Sequence, residues 1–271
     1  MDSAGTKRFR RPVEFTASLI ALAKDLPAVE LPPGSVVIAD LHLDGEVPED
    51  AEQFEALLQH LAKAPVLVIL GDLFEYWLGP TQARMPGSLR FLDALRRFPG
   101  KIVFVPGNRD ILAGAELEEA LGSTILMDGF VGLVGGGERV LFLHGDELCI
   151  SDASYLRLRK ILRARTPRLL ARNLPGFVTR ALARRLRRHS AHTVQYKKQK
   201  AETGQDSQFA NALVRAAGCS AVVVGHAHTF QETVFADGSK WYVLDAFGGK
   251  QDALFVSAQG EIQFGHALKS S

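Results

Sequence analysis

The sequence predicts an α/β fold, and three observations lead to that prediction. Five short apolar runs of four or five residues recur between positions 36 and 224. Segments with helical spacing lie between several of these runs, and a polar residue, Gly or Pro directly follows each run. Because ligands of open α/β sheets bind beyond the carboxyl ends of the strands, the residues after the runs are the candidate site.

The five apolar runs are predicted to be buried strands. They lie at 36–39, 66–70, 102–105, 140–143 and 221–224, are rich in β-branched residues, Leu and Phe, and are bounded by turn formers. They show no polar alternation, so both faces of each strand should be covered.

Helices are predicted between the strands. In the segment 49–62, Ala51, Phe54, Leu57, Leu58 and Leu61 form one apolar stripe at helical spacing. The segments 89–98 and 117–121 have the same pattern.

The composition fits an ordinary globular enzyme. A chain of 271 residues, 46% hydrophobic and 23% charged, suits one large domain or one domain with a subdomain. The two cysteines, Cys149 and Cys219, form no metal-binding pattern and suit a reducing compartment. No run approaches the ~20 apolar residues of a membrane span, and the basic N-terminus precedes no apolar segment. We therefore expect a cytoplasmic protein with peripheral membrane contact at most.

The first two strand ends carry acidic residues. Asp40 and His42 are two residues apart, so on an extended segment both would face one side and share a metal; a turn-capping Asp with a surface His is the alternative. Asp72 follows Gly71, and its two oxygens could bridge two cations or cap a helix. Glu75 stands at capping-box spacing, which favours a structural role over metal ligation.

The last three strand ends carry amide and imidazole groups. Asn108 offers a neutral oxygen ligand or belongs to a Gly-Asn turn, and Arg109 after it is placed to face a substrate. His144 could be structural, but His226 and His228, separated by one small residue, favour metal binding. Seven side chains at five strand ends match two cations with positions left for water and a phosphoryl oxygen. They are Asp40, His42, Asp72, Asn108, His144, His226 and His228.

The order D-x-H, G-D-x-x-E, G-N-x-D, H-G-D and G-H-x-H resembles the calcineurin-like metallophosphoesterases over roughly 35–228. The resemblance implies a four-layer α-β-β-α sandwich with an inserted helical lid and a dinuclear metal site. It implies one metal on Asp40, His42, Asp72 and His228, and a second on Asp72, Asn108, His144 and His226. It also implies in-line attack on phosphorus, with both cations neutralising the developing charge.

Three stretches, 71–79, 107–110 and 144–149, look like one branch of that superfamily, the UDP-2,3-diacylglucosamine pyrophosphatases of lipid A synthesis. That likeness implies hydrolysis to UMP and 2,3-diacylglucosamine 1-phosphate with Mn²⁺; Fe or Zn²⁺ also suits the ligand types. It implies catalytic roles for Asp72, Asn108 and Arg109. Substrate contacts are implied for Arg109, Asp152, Ser190, Lys197 and His226. The alternative is a phosphoesterase for another nucleotide diphosphate, a cyclic nucleotide or nucleic acid.

A basic segment separates the fourth and fifth motifs. Fifteen Lys or Arg residues and no acidic residue lie between Ala153 and Ala201, interleaved with Leu, Ile and Phe. This pattern favours amphipathic helices on an anionic membrane surface over a nucleic-acid patch, because aromatic residues for base stacking are few. A solvated helical insertion is the other alternative. The predicted division is an N-terminal extension at 1–34, a core at 35–150 and 202–271, and a basic helical lid at 151–201.

Two departures from the family pattern affect the predicted substrate rim. Thr229-Phe230 follows the last motif where the family has Arg-Pro, and Pro80 stands where an acidic residue is common. The metal ligands are unaffected, and the oligomeric state is not predicted.

Overall fold

A computed structural model describes residues 10–151, 153–162 and 204–269, together with positions 175, 178 and 181. In chain order, the strands are β1 (Ala28–Leu31), β2 (Val36–Ile38), β3 (Val66–Leu70), β4 (Lys101–Val105), β5 (Phe130–Val134), β6 (Glu138–Phe142), β7 (Ala221–Val224), β8 (Gln231–Val234), β9 (Lys240–Val243), β10 (Ala253–Val256) and β11 (Ile262–Gly265). The α-helices are α1 (Arg10–Ala23), α2 (Pro48–His60), α3 (Pro80–Ala83), α4 (Pro86–Arg96), α5 (Ala115–Leu121), α6 (Ala153–Leu162) and α7 (Ser207–Ala217).

The strands form two sheets that pack face to face between helices. One sheet has the order β11-β10-β2-β3-β4 and the other has the order β1-β5-β6-β7-β9-β8. The β2, β3 and β4 strands are parallel neighbours, as are β6 and β7. The predicted α/β class and its four-layer α-β-β-α arrangement are confirmed.

The hydrophobic core has three layers. Because both faces of the strands are covered, the strand sequences lack polar alternation. In β2, Val36 and Ile38 pack in the cluster that contains Phe54 and Leu57 of α2. The intervening Val37 lies in the cluster between the two sheets, together with Phe142 of β6. Each of these strands is therefore apolar on both faces, because both faces are covered.

All five predicted strands are present, and each predicted helical segment overlaps α2, α4 or α5. The segment predicted as an N-terminal extension, 1–34, contributes α1 and β1. The β1 strand pairs in parallel with β5, and Leu19, Ile20 and Ala23 of α1 pack in the third core layer with α7. This part of the chain closes one edge and one face of the six-stranded sheet.

The parallel strands direct the motifs to one place. The β2, β3 and β4 strands end immediately before the first three motifs, and β6 and β7 end before the last two. Their carboxyl ends bring the motifs together at one end of the sandwich. Among the described residues, no helix is long and apolar enough to cross a membrane.

Candidate metal centre

Two groups of side chains converge at this end of the sandwich. In the first group, one ligand atom from each of Asp40, His42, Asp72 and His228 lies within 4.8 Å of the others. In the second group, Asp72, His144 and His226 meet the same limit. Asn108 joins the second group, since its Oδ1 atom is 3.2 Å from Nε2 of His144. The structure thus gathers all seven residues that the sequence predicted as ligands.

Asp72 belongs to both groups, and its two oxygens face different histidines. Oδ1 is 3.5 Å from Nε2 of His144, whereas Oδ2 is 3.9 Å from Nε2 of His42. A carboxylate that presents one oxygen to each group has the arrangement needed to bridge two cations.

The first group fits a cation better than it fits hydrogen bonding alone. Asp40 is 2% exposed, and its Oδ1 atom has no hydrogen-bond partner among the described residues. Nε2 of His42 lies 3.1 Å from Nε2 of His228, and Oδ1 of Asp40 lies 3.5 Å from the same His228 nitrogen. Buried carboxylate oxygens rarely lack a donor, so converging oxygen and nitrogen acceptors indicate a cation site.

The charges of the two groups shift one another's pKa values. Burial alone would raise the pKa of Asp40, but His228, His144 and His42 hold it below its ordinary value. Burial disfavours protonation of His144, yet Asp72, Asp40 and Asp146 outweigh it and raise the pKa of His144 to about 9. Burial and the neighbouring His144 lower the pKa of His226 to about 4. In the metal-free protein, therefore, a proton on His144 takes up part of the excess negative charge.

Backbone strain is concentrated at the ligands. Among the described residues, five that are not glycine have positive φ, with values from 50° to 69°. They are Asp40, His42, Asp72, His226 and His228. The D-x-H and H-x-H motifs are therefore not extended, which corrects the geometry assumed from their spacing. Each such conformation costs about 1–3 kcal/mol and persists only where surrounding contacts hold it.

Two glycines allow the loops to approach one another. Gly71 has φ +79°, and a Cβ atom there would clash with His144 and with the backbone of Gly107. A Cβ atom at Gly107 would clash with Asp72. Only glycine fits these positions, because the strand ends meet without space for a side chain.

Asp110 holds two of these loops together, a role that the sequence reasoning missed. It is fully buried and accepts hydrogen bonds from the backbone N–H groups of Gly107 (2.6 Å), Leu73 (2.8 Å) and Asp72 (3.3 Å). Burial and the nearby Asp72 raise the pKa of Asp110 to about 7. The sequence did contain a signal for this role, since Asp110 is the last residue of the G-N-x-D motif.

His144 is oriented by its other ring nitrogen. Nδ1 lies 2.8 Å from the carbonyl oxygen of Leu70, and the side chain is completely buried. When a cation displaces the proton of Nε2, donation from Nδ1–H to this carbonyl leaves Nε2 as the ligand atom that faces Asp72 and Asn108.

The loop after His144 is tied to α6 by a buried ionic cluster. Arg159 is 3% exposed, and its Nε atom donates to Oδ2 of Asp146 at 2.8 Å, while its guanidinium also donates to Glu147. Tyr155 donates its hydroxyl to Asp146. Burial disfavours the charged guanidinium, but Asp146 and Glu147 outweigh it and raise the pKa of Arg159. The first helix of the predicted lid is thus fixed to the loop that carries a ligand.

Glu75 has a different role from the one its spacing suggested. No helix begins at Asp72, and residues 71–79 precede α3, so the capping-box interpretation is wrong. Instead, Oε1 of Glu75 lies 3.3 Å from the guanidinium of Arg109 and Oε2 lies 3.5 Å from Nδ1 of His42. Glu75 thus contacts the side chains of His42 and Arg109 at the border of the site. Burial disfavours protonation of His42, but Glu75 opposes this effect, and the pKa of His42 is raised.

Arg109 lies beside the shared carboxylate. Its backbone N–H donates to Oδ1 of Asp72 at 2.9 Å, its carbonyl accepts from Trp77 N–H at 2.8 Å, and Nε is 3.9 Å from Oδ2 of Asp72. One fifth of the side chain is exposed. The guanidinium can therefore meet an anion that enters the site. The other predicted substrate contacts, Asp152, Ser190 and Lys197, lie outside the described residues.

Comparison with known proteins identifies the family of the chain. The family model described as calcineurin-like phosphoesterase matches residues 35–230. A Pseudomonas fluorescens protein named UDP-2,3-diacylglucosamine hydrolase is 36% identical over 232 residues, which cover 83% of this chain and 92% of that protein. A Pseudomonas putida protein of the same name is 36% identical over 197 residues, covering 71% and 81% of the two chains. The chain belongs to the calcineurin-like phosphoesterase family and is a metal-dependent hydrolase.

Proposed function

We propose that the chain hydrolyses the pyrophosphate of UDP-2,3-diacylglucosamine to UMP and 2,3-diacylglucosamine 1-phosphate. The observation that carries this proposal is the position of Arg109, half-buried beside the carboxylate that joins the two ligand groups. A substrate phosphate that reaches the metals would meet this guanidinium, which is suited to paired hydrogen bonds with phosphate oxygens.

Two divalent cations would be held by the seven ligands. Asp40, His42, Asp72 and His228 would hold one, and Asn108, His144 and His226 would hold the other together with Asp72. When bound, the cations supply positive charge that stabilises the phosphoryl transition state. Mixed oxygen and imidazole ligation suits Mn²⁺, Fe or Zn²⁺. We propose Mn²⁺ because the branch that the sequence resembles generally uses it.

The substrate assignment rests on relatives that share most of the chain. Proteins named UDP-2,3-diacylglucosamine hydrolase reach 33–41% identity, including matches that cover more than nine tenths of the relative. In the proposal, Arg109 binds phosphate and His226 borders the substrate, with Asp152, Ser190 and Lys197 as further contacts from the insertion.

We also propose that the insertion, 151–201, is a lid that rests on an anionic membrane. The described part, α6, exposes Leu158 and Ile161 by 50% and 60%, next to exposed Arg157 and Lys160. Apolar and basic side chains side by side suit a lipid surface that carries negative headgroups. The protein would then work at the cytoplasmic face of the inner membrane, where nucleotide-linked lipid intermediates are available.

The test is ³¹P NMR of the purified protein with UDP-2,3-diacylglucosamine, Mn²⁺ and detergent in ¹⁸O-labelled water. We expect UMP that carries the label, because water then attacks the α-phosphorus of the nucleotide. A matched reaction with Asp72→Ala should release no UMP above background.

Two other results would redirect the proposal. Cleavage of bis-p-nitrophenyl phosphate without turnover of the lipid would retain the hydrolase and reject the substrate. UMP release at an undiminished rate after removal of divalent metal would reject the metal centre.

A further inference from the structure

The segment between β7 and β8, residues 225–230, carries two ligands in a strained conformation. His226 and His228 have φ angles of 69° and 61°, and only Ala227 separates them. Such a backbone relaxes to an ordinary conformation unless its neighbours hold it. The contacts that fix this segment therefore decide whether the two imidazoles stay aimed at different ligand groups.

The beginning of the segment is fixed from three sides. Gly225 N–H donates to the carbonyl of His144 at 2.8 Å, and His226 N–H donates to Oδ2 of Asp40 at 2.8 Å. The side-chain amide of Gln205 donates to the carbonyls of Gly145 (3.1 Å) and Gly225 (3.2 Å). His226 is thus held by the motifs that surround it.

The end of the segment is held by a side chain outside the five motifs. Oδ1 of Asp245 accepts the backbone N–H of Phe230 at 2.7 Å, and Oδ2 accepts the backbone N–H of Gln251 at 2.9 Å. Asp245 is itself fixed, because it follows Leu244, whose N–H donates to the carbonyl of Val224 at 2.8 Å. The carboxylate connects the end of the ligand segment to the central part of the six-stranded sheet.

Asp245 is not grouped with the metal ligands among the described residues, and both of its oxygens accept backbone hydrogen bonds. The loop that follows it wraps closely around the side chain, since a Cβ atom at Gly249 would clash with Asp245. These contacts give the carboxylate one well-defined position, which is suited to orienting a backbone rather than to binding a cation.

We infer that Asp245 is a positioning residue for His228: its hydrogen bond to Phe230 N–H holds the strained segment so that His228 reaches the first ligand group. The inference rests on the proposed metal centre. It also gives a role to the departure at Thr229-Phe230, because Phe230 has the N–H group that the proline of the family pattern lacks.

The test is calorimetric titration of the metal-free protein with Mn²⁺, using wild type, Asp245→Ala and Asp245→Asn. We expect wild type to bind two equivalents. Asp245→Ala should lose affinity at one site by roughly tenfold or more, with the second site changed by less than about threefold. Asp245→Asn keeps one carbonyl acceptor and should lie between the two. Asp237→Ala is the matched control, because Asp237 also accepts a backbone N–H, from Ser239, but lies in the β8–β9 turn.

A double variant separates positioning from general destabilisation. In Asp245→Ala, the Phe230 N–H group loses its acceptor, and Phe230→Pro removes that N–H group. Position 230 has a negative φ and precedes an edge strand, where proline is tolerated. If Asp245 acts through that N–H group, Asp245→Ala should weaken Mn²⁺ binding in the wild-type background but have little further effect in the Phe230→Pro background, and a double-mutant cycle measures this coupling.

The outcomes distinguish a failure of this inference from a failure of the proposed metal centre. If wild type binds no Mn²⁺, the metal centre fails and the inference fails with it. If wild type binds two equivalents and folded Asp245→Ala binds them equally well, only the role of Asp245 is rejected. An equally large effect of Asp245→Ala in the wild-type and Phe230→Pro backgrounds would reject the hydrogen bond to Phe230 as the means by which Asp245 acts.

Discussion

The two ligand groups share Asp72 but differ in burial and in the contacts that support them. In the first group, the side chains of His42 and His228 are 20% and 36% exposed. In the second group, His144 is fully buried. Glu75 links His42 of the first group to Arg109, whereas Asp40 of the same group is buried like His144.

The supporting contacts follow the same division. Glu75, itself one fifth exposed, reaches His42 and Arg109 across 3.3–3.5 Å. The loop of His144 is instead held by Arg159 through two carboxylates, with all three side chains at most 4% exposed. The contacts that hold the loop of His144 are therefore buried, whereas those of Glu75 to His42 and Arg109 are partly exposed to solvent.

The largest expected effect comes from the residue that both groups share. Asp72→Ala removes the bridging carboxylate and should abolish high-affinity binding of both metals. Metal ions supply several kcal/mol of transition-state stabilisation, so turnover should fall by about 1000-fold or more. Metal analysis together with UMP release measures both effects, and Asp93→Ala, at an exposed position, is the control. Retention of two tightly bound metals would contradict the bridging role.

The second expected effect tests the support of the buried group. Arg159→Met keeps the length of the side chain but removes the guanidinium charge that faces Asp146 and Glu147. Removing one partner from a buried ionic cluster typically costs about 3–5 kcal/mol, so we expect the free energy of unfolding to fall by that amount. Urea denaturation measures it, with Arg157→Met as the control on the exposed side of the same helix. A loss no larger than that of the control would show that the cluster contributes little.

The fold and the grouping of the candidate ligands could be predicted because both depend on local sequence. Apolar runs identify buried strands, and a ligand that directly follows a strand is placed by the sheet. The support of these ligands could not be predicted, because it joins distant positions. Arg159 reaches Asp146 from the insertion, and Asp245 reaches Phe230 from the end of another strand.

Spacing alone was misleading in two cases. Glu75 lies at the distance of a capping-box acid from Asp72, but the chain leaves β3 without starting a helix. The carboxylate instead faces His42 and Arg109. Asp40 and His42 were expected on an extended segment and instead have positive φ. That conformation depends on hydrogen bonds to the neighbouring strand end, such as His42 N–H to the carbonyl of Asp72 at 2.9 Å.

A third expected effect concerns the open side of the site and separates substrate binding from metal binding. Arg109→Ala should lower kcat/KM for the nucleotide-lipid by about 100-fold, as expected for loss of one charged donor to a phosphate, while both metals remain bound. Arg109→Lys should recover only part of the activity, because an ammonium group cannot form the paired hydrogen bonds of a guanidinium. Arg97→Ala is the exposed control. Loss of metal from Arg109→Ala would instead assign Arg109 to the support of Asp72.

The smallest expected effect comes from Glu75, which supports the open group from its edge. Glu75→Gln keeps the size of the side chain but removes the charge that faces His42 and Arg109. Contacts of this kind to metal ligands are typically worth 10–100-fold, and partial exposure weakens this one, so we expect about a tenfold loss in kcat/KM. Steady-state kinetics at saturating Mn²⁺ measures it, with Glu49→Gln as the exposed control. The free energy of unfolding should stay within about 0.5 kcal/mol of wild type, as for most surface substitutions. A loss as large as that of Arg109→Ala would show that partial exposure does not weaken the contacts of Glu75.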